Sequence, residues 1–233
     1  MVHMKYNGLV FQENESASEA TIVYTCGVFA KCVMYHSKQP AQDVADAEVI
    51  EIPEFVLMDS KTELKVVAIN GGAFDFVRNI VEIYIPQSIR HIKWCFWKCT
   101  NLQRIVVDPE NENYCDIDGV LFSKSKKELV AYPNARRGEY KVPNGVKQIG
   151  NCAFKNTTVE RIVMPKSLLK IGINAFYGCK QLKEILNIPQ EIVEVNSFHN
   201  PDGNHSVNPT CHMANGETMS LYELINLYQR KKK

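Results

Sequence analysis

Residues 146–189 contain the same pattern of apolar residues, glycine and proline twice. This repetition constrains the fold more than any other feature of the chain. The two halves carry matching residue types in the same order, at offsets of 22 to 24 residues. The matched positions are Val146 and Leu168, Ile149 and Ile171, Gly150 and Gly172, Ala153 and Ala175, Phe154 and Phe176, Val159 and Leu182, Ile162 and Ile185, and Pro165 and Pro189. A unit of this length cannot bury its own apolar face, so copies must stack to share a core. The sequence therefore predicts a solenoid.

The same pattern continues outside this stretch, where an apolar residue followed by proline begins each copy. Further apolar residues stand three and six positions after the proline. A partial copy begins at Ile52-Pro53, and fuller copies begin at Ile85-Pro86, Val142-Pro143, Met164-Pro165 and Ile188-Pro189. Proline lacks an N–H and has a fixed φ, so it suits the point where a short strand leaves a sheet. The segments just before the prolines, residues 82–85, 104–107 and 161–164, are predicted to be short strands that stack in parallel as one curved sheet.

Four phenylalanines are predicted to form the opposite side of the coils. They are Phe74, Phe96, Phe154 and Phe176. Cys99 and Cys179 each follow such a phenylalanine by three residues, and Cys95 takes the place that alanine has in other copies. All three cysteines are therefore predicted to be small buried residues. A core of this size needs no disulfide, although Cys26 and Cys32 remain a candidate pair.

The repeats are predicted to span residues 48–198, with a cap at the N-terminal end. Residues 4–47 contain strand-like runs at 8–11 and 20–25, where β-branched and aromatic residues concentrate. Such a cap would cover the apolar surface and the open strand edge of the first coil.

A longer unit interrupts the repeats near residues 108–143. Asp118-Gly119 favours a tight turn, and apolar runs stand on both sides of residues 123–127. The sequence predicts a β-hairpin elaboration that projects from the stack.

Residues 199–233 are predicted to be a loop followed by a helix that caps the last coil. Ser220 and Glu223 have the spacing of a capping box. The apolar residues of one helical face follow as Leu221, Leu224, Ile225 and Tyr228.

Composition excludes several classes of partner. The chain has 27 Lys and Arg against 26 Asp and Glu, so no overall charge attracts nucleic acid or anionic lipid. No apolar run approaches the ~20 residues of a membrane helix, and no segment has the pattern of an export signal. We therefore expect no nucleic-acid partner and no membrane insertion, and a cytoplasmic location stays open.

The repeat resembles that of a known family. Residues 171–189 read Ile-Gly-x-x-Ala-Phe-x-x-Cys-x-x-Leu-x-x-Ile-x-x-Ile-Pro, which is similar to the BspA-type leucine-rich repeat. Residues 118–133 resemble a longer variant of the same repeat, and residues 65–74 resemble a degenerate first copy. The resemblance, over residues 48–198, implies a right-handed leucine-rich-repeat solenoid of α/β class, rich in strands. It further implies an adhesion protein that is secreted or displayed on the cell surface, without enzyme activity.

The sheet face is the candidate binding surface. If Ile83, Ile105, Ile162 and Ile185 point inwards, strand alternation turns their neighbours outwards. The predicted outward set is Glu82, Tyr84, Arg104, Val106, Arg161, Val163 and Glu184. Aromatic and aliphatic residues flanked by charges of both signs are suited to protein recognition. The alternative interpretation is that this is a half-exposed sheet face that binds no ligand.

Two groups of residues have some features of metal sites, but simpler interpretations are favoured for both. Asp116 and Asp118 lie before a glycine, but the twelfth position of a calcium loop would be Lys127, so a plain turn is favoured. His199, His205, Cys211 and His212 are the candidate zinc ligands. Their spacing fits no standard zinc site, so a solvated loop is favoured and no cofactor is expected.

Two further features carry weaker functional hypotheses. Cys115 is a candidate nucleophile, but no histidine lies near it in the sequence. Trp94 and Trp97 could form a binding spot, although core packing of at least one is favoured. They lie where the step from Ile92 to Phe96 is one residue short, so a local irregularity is expected there.

The sequence thus favours a non-enzymatic module that binds a protein ligand, such as a host matrix protein or another cell-surface protein. The alternatives are a structural spacer repeat and a metal-dependent or thiol hydrolase.

Overall fold

The computed structural model describes residues 3–6, 9–13, 19–25, 48–58, 62–94, 96–192, 194–195 and 208–230. The chain is a β-solenoid made mostly of strands, and the helix of the described part is at its C-terminal end. It falls into two compact units, residues 1–119 and 120–233. The Cys26–Cys32 pair, Cys95, His199 and His205 lie outside the described residues.

The first unit contains ten strands among its described residues. They are β1 (His3–Tyr6), β2 (Leu9–Glu13), β3 (Glu19–Thr25), β4 (Val49–Glu51), β5 (Phe55–Met58), β6 (Thr62–Ile69), β7 (Glu82–Ile85), β8 (His91–Ile92), β9 (Arg104–Val107) and β10 (Tyr114–Ile117). One sheet has the order β1-β2-β3-β6-β5, with β8 also paired to β6. A second, parallel sheet has the order β4-β7-β9. The strand-like runs predicted near the N-terminus are thus strands, and β3 joins them to the repeats by pairing parallel to β6.

The second unit shows the repeat most clearly. Its elements are β11 (Val120–Ser123), β12 (Glu128–Ala131), β13 (Gly138–Lys141), β14 (Gln148–Ile149), β15 (Val159–Val163), β16 (Lys170–Ile171), β17 (Glu184–Ile188), β18 (Glu194–Val195), β19 (Thr210–Met213), β20 (Thr218–Ser220) and α1 (Leu221–Arg230). One ladder has the order β12-β14-β16-β18 and the other β13-β15-β17-β19, all parallel. Each coil contributes one strand to each ladder, as a stacked repeat requires.

Apolar rows hold the coils together. Ile83 pairs with Ile105, and Ile162 pairs with Ile185, and all four side chains are fully buried. The predicted inward orientation of these isoleucines is confirmed. Within the first unit Phe74 and Phe96 stack with ring centroids 5.8 Å apart, and within the second Phe154 and Phe176 stack at 5.7 Å.

The predicted single sheet is divided in the structure. Strands β7 and β9 lie in the three-stranded sheet of the first unit, whereas β15 and β17 lie in the five-stranded sheet of the second. The residues between β9 and β13 form the hairpin unit instead of a regular coil, so the periodicity is broken there. Sequence periodicity could not show this division. It gives the number of residues from one coil to the next, but not whether the strands of successive coils pair in one continuous sheet.

The hairpin is built into the stack and does not project from it, contrary to the sequence prediction. Strands β11 and β12 are antiparallel, as predicted, but β12 also pairs parallel to β14. Leu121, Phe122 and Leu129 are completely buried. Their apolar area is large enough that burial in the common core outweighs exposure on an extension.

The C-terminal segment forms the predicted helix and two strands that the sequence did not predict. Ser220 Oγ accepts a hydrogen bond from Glu223 N at 3.2 Å, and a Glu223 carboxylate oxygen accepts one from Ser220 N at 2.8 Å. This reciprocal pair is the predicted capping box, and the predicted apolar face of α1 is buried. Strand β19, expected to be loop, extends the ladder beside β17. The described part of the chain contains no helix long and apolar enough to cross a membrane.

Candidate functional site

The outward face of β7 and β9 carries four of the predicted residues. Glu82 lies opposite Arg104, and Tyr84 lies opposite Val106. The Glu82 carboxylate is 3.5 Å from Arg104 Nε, and the Arg104 side chain is 63% exposed. A charged pair and an aromatic–aliphatic pair thus lie side by side on this face.

Tyr84 is held in place by a carboxylate. Its hydroxyl donates to Asp108 Oδ2 at 2.7 Å, and this hydrogen bond, together with partial burial, raises the pKa of Tyr84. Asp108 also accepts from Glu110 N through its other oxygen at 2.8 Å. The ring is therefore oriented before any ligand arrives.

The second unit carries an ion-pair network on the outward face of its sheet. Arg161 Nε donates to Glu184 Oε2 at 2.7 Å, and Arg161 Nη1 is 3.6 Å from a Glu139 oxygen. The Arg161–Glu184 hydrogen bond raises the pKa of Arg161 and lowers that of Glu184. His212 Nε2 lies 3.5 Å from the other Glu184 oxygen.

An apolar strip runs beside this network. Val163 pairs with Leu186 on the next strand and with Lys141 on the preceding one. Both apolar side chains are half-buried, so part of each is exposed on this face. Leu186 and Glu139 were missing from the predicted set, although the alternation that places Glu184 outwards also indicates Leu186.

The structure therefore places every predicted face residue on a strand and facing outwards, but on two sheets. Glu82, Tyr84, Arg104 and Val106 lie together in the first unit. Arg161, Val163 and Glu184 lie together in the second. Each set is complete within its own unit.

The segment around Asp116 and Asp118, a disfavoured candidate for a calcium loop, forms a hairpin turn. Asp116 accepts hydrogen bonds from Val107 N at 3.0 Å and Gly119 N at 3.2 Å. Asp118 and Gly119 have positive φ angles of 51° and 72°, as a tight hairpin turn requires. These contacts agree with a plain turn at Asp116.

Two of the candidate zinc ligands, Cys211 and His212, are separated by the alternation of side chains along β19. Cys211 is fully buried in the row that begins with Ile162 and Ile185, and burial raises its pKa to about 12. His212 points to the opposite face. Within the described ranges, no three His, Cys, Asp or Glu side chains are grouped as metal ligands.

The tryptophan pair is divided in the same way. Trp97 packs against Phe76 with centroids 4.7 Å apart, whereas Trp94 is 64% exposed. The favoured interpretation, that at least one of them packs into the fold, holds for Trp97.

The chain is similar to several solved structures, which are described as leucine-rich repeat proteins or, in one case, as a vaccine antigen. The pneumococcal vaccine antigen PcpA is 16% identical, with a TM-score of 0.49, and the match covers 85% of this chain and 73% of PcpA. A leucine-rich repeat protein from Bacteroides ovatus is 20% identical, with a TM-score of 0.45. The match covers 84% of this chain and 54% of the Bacteroides protein. The T. pallidum leucine-rich repeat protein TpLRR is 16% identical, with a TM-score of 0.40 and coverages of 84% and 83%. These likenesses concern the fold alone.

One protein-family model matches more than half of the sequence. No curated protein matches the sequence. The model of the BspA type leucine rich repeat region matches residues 52–137 and 131–202, with six copies. These residues make up more than half of the chain and include both outward faces. The chain belongs to the BspA-type leucine-rich repeat family.

Proposed function

We propose that the chain is a non-enzymatic protein-binding module whose ligand lies on the outward sheet faces. The observation that carries this proposal is the arrangement of outward residues in rows: Tyr84 with Val106, Val163 with Leu186, and charged pairs beside each. Aromatic and aliphatic residues bordered by charges are typical of the centres of protein interfaces.

The rigidity of the faces supports the same proposal. Each outward residue is on a strand paired along its backbone, with fully buried isoleucines beneath it. The Tyr84–Asp108 and Arg161–Glu184 hydrogen bonds fix the side chains further. A surface that is already ordered loses little conformational entropy on binding, so more of the contact energy appears as affinity.

Cell adhesion is the setting that we propose for this binding. The ligand would be a host matrix protein or another surface protein, with the chain secreted or displayed on a cell surface. Membership of the BspA-type family supports this setting.

Binding measurements with a matched pair of triple variants test the proposal. The first variant is Tyr84→Ala, Arg104→Ala and Arg161→Ala, which removes the anchors of both faces. The control is Tyr222→Ala, Arg78→Ala and Arg137→Ala, which removes the same residue types from exposed positions outside both sheets. A ligand is first selected by screening the whole chain against immobilised matrix and surface proteins.

We expect the face variant to lose at least about tenfold in affinity, and the control less than about twofold. Circular dichroism must show that both variants are folded. Equal affinities for the two variants would reject the face assignment and favour a spacer role. The thiol hydrolase alternative depends on Cys115, which is half-buried, and loss of an activity on alkylation of that thiol would favour it.

A further inference from the structure

Five lysines gather at one corner of the second unit, which we name the lysine corner. Its members are Lys124, Lys126, Lys127, Lys147 and Lys166, and all are exposed. They belong to three successive turns: the loop between β11 and β12, the turn before β14, and the turn before β16.

Backbone hydrogen bonds stack these turns on one another. Lys147 N and Gln148 N both donate to Lys127 O, at 2.8 and 3.0 Å. In the next layer Leu169 N donates to Lys147 O at 2.8 Å. Ser167 Oγ adds a link by donating to Val146 O at 2.7 Å. The lysines are therefore presented by neighbouring layers, which in parallel ladders lie about 4.8 Å apart.

The hairpin loop that carries three of these lysines is itself well braced. Lys126 N donates to Ser123 O at 2.8 Å, and Glu128 N donates to Ser123 Oγ at 3.1 Å. The positive charges thus project from a fixed backbone, and only the side chains need to be ordered by a ligand.

Within the described residues, four of the five lysines in the lysine corner have no ion pair, whereas several lysines elsewhere in the unit have one. Elsewhere Lys141 pairs with Glu139, Lys170 with Glu194, and Lys183 with Glu160. Among the residues that the structure describes, Lys126, Lys127, Lys147 and Lys166 pair with no carboxylate. The carboxylate beside them, Glu128, is partly buried and accepts from Gln148 Nε2 at 3.2 Å. Because the whole chain has a net charge of only +1, this concentration of positive charge is local.

We propose that the lysine corner binds an acidic segment of the protein partner. The proposal rests on the proposed function, and it names the chemistry of a second part of the same ligand. The corner directly follows the outward sheet face along the chain, since β13 leads through Pro143 to Lys147 and β15 leads through Pro165 to Lys166. A ligand lying on that face can therefore extend onto the corner.

The composition of the corner favours an acidic peptide over a nucleic acid. Residues 123–127, 144–147 and 166–169 contain no aromatic residue on which a base could stack. Carboxylates on one side of an extended peptide lie about 7 Å apart, and lysine ammonium groups on flexible four-carbon stems can adjust to that spacing.

A fluorescein-labelled peptide of ten glutamates serves as the probe, with anisotropy measured on the whole chain. The test variant is Lys126→Glu with Lys147→Glu. The matched control is Lys93→Glu with Lys180→Glu, which changes the net charge equally at two other exposed positions. We expect wild-type binding to be saturable and weakened by salt, with a loss of at least about tenfold in the test variant and under about twofold in the control.

Several outcomes would overturn the proposal. The wild type could fail to bind the peptide saturably, or the test and control variants could lose equal affinity for it. Tighter binding of heparin or oligothymidylate than of the peptide at the same lysines would also overturn it. The Tyr84, Arg104 and Arg161 triple variant separates this proposal from the proposed function. This variant should still bind the glutamate peptide. If the peptide does not bind the lysine corner, the result for the sheet faces is unaffected, and a negative result for the sheet faces likewise leaves the peptide result unaffected.

Discussion

At the residue scale, the buried thiols link consecutive coils. Cys99 Sγ donates to Phe74 O at 3.0 Å, and Cys179 Sγ donates to Phe154 O at 2.7 Å. Each bond joins one coil to the phenylalanine of the coil before it. Thr157 takes the equivalent place after Phe154, with its hydroxyl 3.5 Å from Cys179 Sγ. Three of the four copies thus have a small side chain with a donor at this position, whereas Val77 occupies it after Phe74. The prediction that Cys99 and Cys179 are buried is confirmed.

The thiols should make the protein less stable at alkaline pH. Burial raises the pKa of Cys179 to about 11 and that of Cys211 to about 12, from 9.0. Above pH 9 the unfolded chain releases these protons and the folded chain keeps them, so stability falls as the pH rises towards the folded values. At pH 10 the loss is roughly 1 kcal/mol per thiol. Urea unfolding at pH 8 and pH 10 measures it.

A double variant, Cys179→Thr with Cys211→Val, provides the control for this pH effect. Threonine already occupies the equivalent position at 157, and valine suits the inward row that contains Ile185. The variant should be folded at pH 8 and lose less stability at pH 10 than the wild type does. An identical loss would assign the alkaline effect to other groups, such as Tyr228, whose pKa burial also raises.

At the element scale, the terminal helix closes the last coil through its cap and one apolar face. Leu221 N donates to Pro209 O at 3.0 Å, which ties the start of α1 to the segment before β19. At the other end Tyr228 OH donates to Gln190 O at 3.4 Å. Leu224 and Ile225, between these ties, are buried.

Ser220→Ala should destabilise the C-terminal end without affecting the face residues. The substitution removes the oxygen that accepts from Glu223 N, and loss of such a cap costs about 1 kcal/mol. Hydrogen exchange should quicken in α1 before it does in β15. Ser220→Asp keeps an acceptor and should retain most of the protection. If the two variants exchange alike, the cap contributes little.

Several elements were predictable because their own residues specify them. The repeat prolines turn the corners as predicted: Ile89 N donates to Pro86 O, and Leu168 N donates to Pro165 O. The outward residues of the candidate site also followed from alternation on each strand. Strands β13 and β19 were not predictable, because Gly-Glu-Tyr-Lys and Thr-Cys-His-Met gain their strand structure from pairing with β15 and β17.

A ring in the core was missed for a related reason. Tyr132 stacks on Phe154 with centroids 5.0 Å apart and continues the phenylalanine column. The signal was present, since Ala131-Tyr132 precedes Ala153-Phe154 by 22 residues. It was obscured because the hairpin lacks the rest of the repeat pattern.

At the scale of the whole molecule, stability is expected to be local, because each coil contacts mainly its neighbours. In the second unit, Phe154 lies between Tyr132 and Phe176 and is fully buried. In the first unit, Phe74 and Phe96 form their own stacked pair. Damage in one column should therefore be felt most by the coils that share it.

Phe154→Ala should cost about 3–5 kcal/mol, because it leaves a large cavity between two rings. Hydrogen exchange should quicken most in β12, β15 and β17. Phe154→Leu keeps more of the volume and should cost less. Uniform quickening across β7 and β9 as well would show that the chain unfolds as one cooperative body.

The matching registers of β15 and β17 have a consequence for how such a chain can change in length. One coil is the segment from one repeat proline to the next. Its strands pair in the same register with the equivalent strands of the following coil, so the facing surfaces of successive coils fit one another. A gene segment for one coil, copied in tandem, would encode a layer whose neighbours already suit it. The span of the protein can therefore grow or shrink in discrete steps of about 4.8 Å, the spacing of paired strands, while both end caps keep their fit.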